Sequence, residues 1–556
     1  MADHADGAGQ VDKVLLGGKV LTVDAGFTVE SAVALAGDRI VAVGDDDHVR
    51  ELAGPSTEVI DLAGQSVLPG INDAHLHLAL FGLAGPPFSV DLNGVDSLGA
   101  LNEALAGGPP GPGGSRWLIG EGWREANIPE FDADVPGPHR SLIDEVTGDR
   151  PTVLHHASRH SVLVNTAALR IVGITRDTPD PAGGQIVRGP DGEPTGLLLE
   201  GAKGLITEHV PAHSEKERLD AIETAMRKLN ALGITSVTDP IVWPELLRDY
   251  TTLRRDGRMT VRVNTLMHWD WPSPASASDR LETALGYAGL STGLGDDWLR
   301  IGGCKLFADG VPTQGTAWLH DPYPSGCHGH LITSGDDDEA RYEELLRMIE
   351  LAHRNRLQVQ VHVTGDRAAD AATDGIIRAL KADPWPRARH ALLHGTLLSE
   401  DSYARLAEHD ISVITSSLMK SYSGASMTRV IGEERWSRAF PAGALLAAGV
   451  HVADSSDAPV CVPDWRRGIA TFAGAEPGPF SDVPPDLRLT REQAIRLWTT
   501  AGAYIENAED RKGTITPGSL ADLVVLDGDV LTADDDALQR IKPTLTLAGG
   551  RVVHTA

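Results

Sequence analysis

Six residues scattered along the chain carry atoms that could bind a metal or move a proton: His75, His77, Lys305, His362, His394 and Asp457. In an extended strand, residues i and i+2 face the same side, so His75 and His77 of His75-Leu76-His77 could chelate one metal ion. Alone the pair is a weak signal, because the chain has 21 histidines. In Leu357-Gln-Val-Gln-Val-His-Val363 the valines share one face, while Gln358, Gln360 and His362 share the other. Buried parallel strands usually read as continuous apolar runs, so a polar face needs a use. The same parity links His390, Leu392 and His394. For either histidine alone, the alternative is a buried imidazole satisfied by a backbone carbonyl. Lys305 sits in the apolar run Gly302–Phe307, where a free ammonium is costly to bury unless paired. It either reaches a neighbouring carboxylate or has captured CO2, leaving a carbamate whose two oxygens bridge two metal ions. Cys304 then points to the opposite face. Asp457 ends the last expected strand before Ala458-Pro459, where a carboxylate can ligate a metal and accept a proton; Asp454 lies earlier, with the other parity, and competes less well.

These residues need a scaffold. Short apolar strands are expected at 66–77, 233–239, 259–269, 300–310, 357–366, 388–396, 411–417 and 451–459. Segments with a 3.6-residue apolar period, such as Asp336–Arg356 and Asp366–Asp383, alternate with them and read as helices. Eight strands with intervening helices is the count of a (β/α)8 barrel, an α/β fold that gathers its active site at the C-terminal strand ends. The two chain ends read differently, as short Val- and Ile-rich β runs with turn residues, and the pairs Gly17-Gly18 and Gly549-Gly550 suggest two halves of one small β-sandwich. The expected organisation is therefore 1–66 and 509–556 as a composite β domain and 67–508 as the TIM-barrel catalytic domain. An insertion at about 79–225 and a Gly/Pro/His-rich loop at 308–335 interrupt the barrel; ordered loops of that length are usually lids or inserted subdomains.

Composition narrows the classes. The chain has 556 residues with a formal net charge of −29, a balance that repels phosphate backbones and argues against nucleic-acid binding. Hydrophobic residues at 41% supply a normal core, while Gly 60 and Pro 34 call for many loops. The opening MADHADGAGQVDKV lacks the basic and apolar regions of a secretory signal, and the most apolar later stretch, 439–453, is too short to span a membrane. Three cysteines cannot build a disulfide framework and suit a reducing cytoplasm. The expected partner is a small molecule, with neither membrane nor nucleic acid involved and homo-oligomerisation left open.

Several motifs then converge. Leu68-Pro-Gly-Ile-Asn-Asp-Ala-His-Leu-His77 resembles the opening signature of the amidohydrolase superfamily. Gly183-Gly-Gln-Ile, Gly192-Glu-Pro-Thr-Gly-Leu, Lys305-Leu-Phe-Ala-Asp-Gly310, His362-Val-Thr-Gly-Asp-Arg367, Ser456-Asp-Ala-Pro-Val460 and Thr516-Pro-Gly-Ser-Leu-Ala-Asp-Leu-Val resemble its amidohydrolase-3 branch, which includes N-substituted formamide deformylases. The resemblance implies a binuclear centre. In it His75 and His77 hold one metal with Asp457, His362 and His394 hold the other, and carboxylated Lys305 bridges them. Nitrogen and oxygen ligands fit Zn²⁺ best, although Mn²⁺, Fe²⁺ or Co²⁺ also suit such a set. It further implies hydrolysis of a C–N bond in a small neutral amide, such as an N-substituted formamide, by metal-activated hydroxide, with Asp457 passing the proton to the leaving amine. The alternatives are ester or cyclic-amide hydrolysis or decarboxylation at the same site, or a non-catalytic binding or regulatory homologue.

The rest of the sequence offers pocket candidates and decoys. His160 and Asn165 lie in a segment resembling the branch's HSxWVNS pattern, with Leu163 and Thr166 departing from it. Trp123, Trp318 and Tyr323 could wall a pocket for an N-substituent, or simply pack. Cys327-His328-Gly-His330 mimics a zinc site inside a variable loop. Gly289-Leu-Ser-Thr-Gly293 matches a serine-hydrolase elbow, but such an elbow needs a strand before it and a helix after it, and here the order is reversed. Cys461 lacks an evident base.

Overall fold

The computed structural model describes residues 11–131, 138–181, 184–269, 277–474 and 483–556. The opening residues 1–10 and Gly183 of the Gly183–Ile186 motif lie outside them.

Eight parallel strands form the central sheet. In chain order they are β1 (Ile71–Asp73), β2 (Ile234–Val242), β3 (Arg262–Met267), β4 (Leu299–Phe307), β5 (Gln358–Val363), β6 (Ala391–His394), β7 (Ser412–Ile414) and β8 (Val452–Ala453). Each pairs with its neighbours in sequence, which gives an α/β architecture with a curled parallel sheet. Helices cover its outer face. Helix Asp366–Ala382 buries a stripe of small residues (Ala368, Ala372, Gly375, Ala379) beside Ile376, and it packs close against helix Asp338–Arg354. Helix Glu215–Asn230 is started by a capping box in which Ser214 and Glu217 satisfy each other's backbone N–H groups, and it buries Ile222, Met226 and Leu229. Beyond the strands, Asp457 N donates to His75 O at 2.8 Å and His77 N to Ala458 O at 2.9 Å, linking the segment after β1 to the segment after β8.

The first expected strand, 66–77, is divided in the structure. Ser66–Pro69 joins a different sheet, and only Ile71–Asp73 enters the parallel one. Gly70 marks the break: a side chain there would collide with Thr235 at 2.1 Å. Ser66–Pro69 lies between Lys19–Leu21 and Leu523–Leu526 in a six-stranded sheet that also holds Val29–Glu30, Pro543–Ala548 and Arg551–Thr555. A four-stranded sheet of Arg39–Gly44, Ala32–Ala36, Lys13–Leu16 and Glu58–Asp61 packs on it through Leu15, Val33, Ile40, Val67, Leu523 and Leu547. Strands from both chain ends therefore share one apolar cluster. Gly550 has a left-handed backbone, and a side chain there would strike Gly37 O at 2.1 Å, so the second Gly-Gly pair forms a turn that only glycine fits.

The long interval between β1 and β2 contains a further six-stranded sheet, ordered Gly184–Arg188, Pro194–Glu200, Ser161–Val164, Thr152–His156, Leu118–Trp123 and Val90–Asp91. Separate apolar clusters are built on it, one around Leu101, Ile143 and Leu154 and another around Val153, Val162 and Leu198.

Candidate metal centre

The site is built from strand ends. Asp73, the last residue of β1, accepts hydrogen bonds from Ser456 N at 3.0 Å and His75 N at 3.3 Å, and so ties the segments after β1 and β8 together. The backbone bonds between His75, His77, Asp457 and Ala458 complete a short ladder. Its product is convergence. His75 Nε2 lies 3.3 Å from Asp457 Oδ1, and His77 Nε2 lies 3.1 Å from the same oxygen. Among the described residues these three form the group whose ligand atoms, all within 4.8 Å of one another, could hold a metal ion. His75 and His77 stand beyond the end of β1, with His77 starting the helix Leu78–Leu83. The alternation of a strand therefore does not place them; the ladder does.

Asp457 and His394 both have left-handed backbones, with φ of 54° and 68°. Non-glycine residues seldom adopt that region, and strain of this kind clusters at functional sites. His394, at the end of β6, brings its ring centroid to 5.1 Å from that of His75 and 4.6 Å from that of His362, at the end of β5. His362 Nε2 meets Gly310 O at 3.1 Å. Donation from Nε2 to that carbonyl leaves Nδ1 with its lone pair, the arrangement in which a metal-binding imidazole is fixed by its second nitrogen. Lys305 is paired in register with Gln360, and its Nζ sits 4.6 Å above the Phe307 ring.

Electrostatics set the protonation states. Burial pushes His75 down to about 3, with Lys305 adding to the effect. Burial likewise holds His362 and His394 well below the ordinary imidazole value. Burial works against ionisation of Asp457, but its contacts with His75 and His77 outweigh it and hold the carboxyl well below the usual range. Neutral imidazoles and an ionised carboxylate are the forms that bind a divalent cation. Burial lowers Lys305 to about 7, with Asp457 pulling the other way, so a substantial share of its amine is unprotonated near neutrality. His75 Nδ1, His77 Nδ1 and Asp457 Oδ1 are buried without a hydrogen-bond partner, which fits a donor set arranged for an ion.

Carboxylates that pattern reading passed over support this centre. Asp309, fully buried, accepts backbone N–H bonds from Trp318 at 2.9 Å, Thr364 at 3.0 Å and Gly365 at 2.8 Å. It thereby fastens the loop after β4 to the end of β5. Asp239, late in β2, accepts from Leu78 N at 3.2 Å and from the Tyr250 hydroxyl. Asp239 follows Val237-Thr238 and Asp309 follows Phe307-Ala308, settings that do not by themselves mark a supporting carboxylate. Asp454 is occupied by Ser417 N and Ser455 N, at 2.9 and 2.8 Å.

The five pocket candidates separate. His160 is nearest the centre, its ring 5.9 Å from that of His362 and its Nδ1 2.8 Å from Glu200 Oε2. Glu200 is held in turn by the Thr316 hydroxyl at 3.1 Å, so the insertion and the loop after β4 meet there. Asn165 caps the helix Thr166–Val172 and has both side-chain atoms engaged, accepting from Ala168 N and donating to the Thr147 hydroxyl. Trp123 donates to Leu154 O and packs against Phe131 and His156 within the insertion. Trp318 lies buried beneath the Arg367 guanidinium, and the Tyr323 hydroxyl donates to Ala317 O. His390 takes Val359 N on Nδ1 and meets His353 on Nε2, so it belongs to a buried histidine pair. Of the decoys, His328 is bound to Leu319 O, and Cys327 is exposed beside Ser325. Gly289 closes the helix Ser278–Ala288, leaving Ser291 after a helix and before β4. Burial raises the Cys461 thiol to about 12, which removes it as a nucleophile.

The sequence profile described as the Amidohydrolase family matches residues 58–554. The putative amidohydrolase YtcJ of Bacillus subtilis (strain 168) is 30% identical over 532 residues, covering 93% of this chain and 94% of its own. The N-substituted formamide deformylase of Arthrobacter pascens is 29% identical over 557 residues, covering 97% of each chain. A solved structure of an uncharacterized metal-dependent hydrolase from Pyrococcus furiosus superposes with a TM-score of 0.71 at 26% identity, over 94% of this chain and all of that one.

Proposed function

The chain belongs to the amidohydrolase family, and from that premise we propose that it is a metal-dependent hydrolase that cleaves a C–N bond in a small neutral amide, with N-substituted formamides as the narrowest candidate class. The observation that carries this reading is the convergence of His75 and His77 on one oxygen of Asp457, at 3.3 and 3.1 Å. His362 and His394 are the proposed second half of a binuclear centre, a carboxylated Lys305 would be shared by the two halves, and the donor set favours Zn²⁺. The likeness to a relative named for formamide deformylation supports the substrate class.

A bound divalent ion would supply Lewis acidity and bring the pKa of a coordinated water toward neutrality. The chain's own residues do the rest. Ionised Asp457 stands where it can take a proton from the attacking water and return it to the leaving nitrogen. The Gly310 carbonyl fixes the ring of His362, and Asp309 fixes the loop that presents that carbonyl. Lys305, largely desolvated, keeps a free amine available for carbamate formation. His160, anchored by Glu200, is the proposed contact for the substrate on the His362 side.

The same reading extends to architecture and setting. The curled sheet is taken as a (β/α)8 barrel, with the terminal strands forming a composite β-sandwich domain, 1–66 with 509–556. Among the described residues no helix is long and apolar enough to cross a membrane. We place the protein in the cytoplasm with a small-molecule partner. The test is metal analysis combined with a panel of N-aryl and N-benzyl formamides, N-acyl amines, esters and cyclic amides. Formate release that tracks metal content supports the proposal. A metal-free protein, or full activity in Lys305→Ala, overturns the binuclear mechanism, and turnover of esters alone overturns the C–N assignment.

A further inference from the structure

The insertion between β1 and β2 joins the rest of the molecule through a paired stem. Helix Leu78–Leu83 leads into it and helix Glu215–Asn230 follows it. The two helices touch closely, since a side chain at Gly82 would meet Ala221 O at 2.0 Å. The segments that continue from them stay together, with the Phe88 and His213 rings 6.2 Å apart. Beyond this stem the described residues of 89–210 build their own apolar clusters, and none of them enters the cluster between the parallel sheet and its helices. Ion pairs follow the same division. Glu121 with Arg159, Glu125 with His156 and Glu200 with His160 each join two residues of the insertion, and among the described residues no ion pair links 89–210 to the rest of the chain.

Near the metal centre two side-chain hydrogen bonds cross from the insertion to the strand ends. Arg124 Nη2 donates to Val460 O at 2.7 Å, and the Thr316 hydroxyl donates to Glu200 Oε1 at 3.1 Å. Val460 N is bonded to Asp457 O at 2.8 Å, so the first bond ends on the turn that carries Asp457. A narrow crevice marks the seam, with Asn93, Glu121, His156 and Arg159 on the insertion side and Ala84 and Pro459 on the other. With the insertion in this position, His75, Lys305, His362, His394 and Asp457 expose 1–5% of their surface. Side chains so nearly sealed from water cannot meet a substrate until something moves. The insertion, with its own core, its own ion pairs and one paired stem, is the part built to move as a unit.

We infer that residues 89–210 form a hinged cap, which swings about the paired stem to admit the substrate and closes through Arg124 and Glu200 with His160 over the metal centre. Closures of this size exclude water and complete a site, and their hinges are short segments at the ends of elements. The stem supplies such segments at 84–88 and 211–213, with Gly85 in a left-handed backbone conformation. The inference rests on the metal centre as the place of reaction and is independent of which bond is cleaved there.

The experiment uses the full-length protein carrying Cys327→Ser, because that cysteine is exposed and the other two are buried. One spin label is placed at Ile171→Cys on the cap, and a second at Tyr287→Cys beside the parallel sheet or at Val59→Cys in the terminal strands, all exposed positions. Pulsed dipolar spectroscopy then records both distances. The expected result is a closed and an open population, with the ratio of open to closed raised about tenfold or more in Arg124→Met, which loses a charged donor. Thr316→Val should shift the ratio in the same direction. A single distance for both label pairs in the native protein and in both variants would overturn the inference, as would an open share that neither substitution changes. The readout needs no turnover, so failure of the amide reading leaves this test intact. If Arg124→Met does not fold, Thr316→Val, which keeps the shape of its side chain, decides.

Discussion

Replacing Asp309 with alanine separates two ways in which the loop after β4 could be seated over the metal centre. If the loop is held by its own packing, through Trp318 and Tyr323, loss of one carboxylate changes little. If the carboxylate holds it, three buried backbone donors, from Trp318, Thr364 and Gly365, lose their acceptor together. Each orphaned buried N–H costs about 1–3 kcal/mol, and water entering the vacated space recovers part of that, so a loss of about 3–6 kcal/mol is expected. Net stabilities of folded proteins run to only about 5–15 kcal/mol, so the change is large. With an unfolding entropy of about 2.1 cal/mol/K per residue, it lowers the midpoint of a cooperative transition by about 3–5 °C. Asp309→Asn keeps the volume and one acceptor oxygen but turns an amide toward one of the donors, so it should lose about 1–3 kcal/mol and fall between. Calorimetry and urea unfolding measure the order, and limited proteolysis within 308–335 reports whether the loop has come loose. Gly310, whose carbonyl fixes His362, is the next residue, so metal affinity should fall with stability. Midpoints of Asp309→Ala and the native protein within about 1 °C, with equal protease resistance, would refute this account.

Other consequences are as direct. Asp457→Asn should lower kcat by at least about 10²-fold on any amide the native enzyme cleaves, because the proton carrier and a ligand are lost together; kinetics on metal-reconstituted protein check it. His160→Ala should retain its metal while kcat/KM falls about tenfold or more, and Glu200→Gln should give a milder form of the same defect; metal content measured beside kinetics separates this from a damaged centre. Burial holds His390 at about 3 in the folded protein, against an unfolded value near 6.5. The unfolded chain therefore binds the extra proton, and the stability contributed by neutral His390 is present above about pH 6.5 and is lost as pH falls toward 3. Urea unfolding between those limits should show a shallower acid slope in His390→Gln than in the native protein, and equal slopes would contradict it.

Much of the site was legible because metal chemistry restricts residue types. His75, His77 and Asp457 were identified from the sequence, and the structure brings them to one point. The reason offered for His75 and His77 was nevertheless incomplete. Alternation within a strand does not apply beyond Asp73, and the ladder to Ala458 that does position them joins residues too far apart in sequence for any local pattern to reveal. The division of the first strand at Gly70 was hidden for a similar reason, since only tertiary contacts assign Ser66–Pro69 and Ile71–Asp73 to different sheets. Asp309 and Glu200 were invisible as supports because a carboxylate's role depends on which backbone donors or imidazole the fold brings to it. Aromatic candidates were the least legible. Trp123, Trp318 and Tyr323 have the composition of a pocket wall, yet Trp123 packs within the insertion, Tyr323 bonds Ala317 of its own loop, and Trp318 lies against Arg367 of the helix Asp366–Ala382.

The central claim is that His75, His77 and Asp457 hold a divalent metal ion. An anomalous difference map, collected at the absorption edge of whatever metal elemental analysis finds in the purified protein, tests it most directly. The account predicts a peak within coordination distance of His75, His77 and Asp457, with a second beside His362 and His394 when the centre is fully loaded, and loss of the first peak in His77→Ala. Protein without stoichiometric metal, or a peak at Cys327 and His328 in place of these residues, would contradict it.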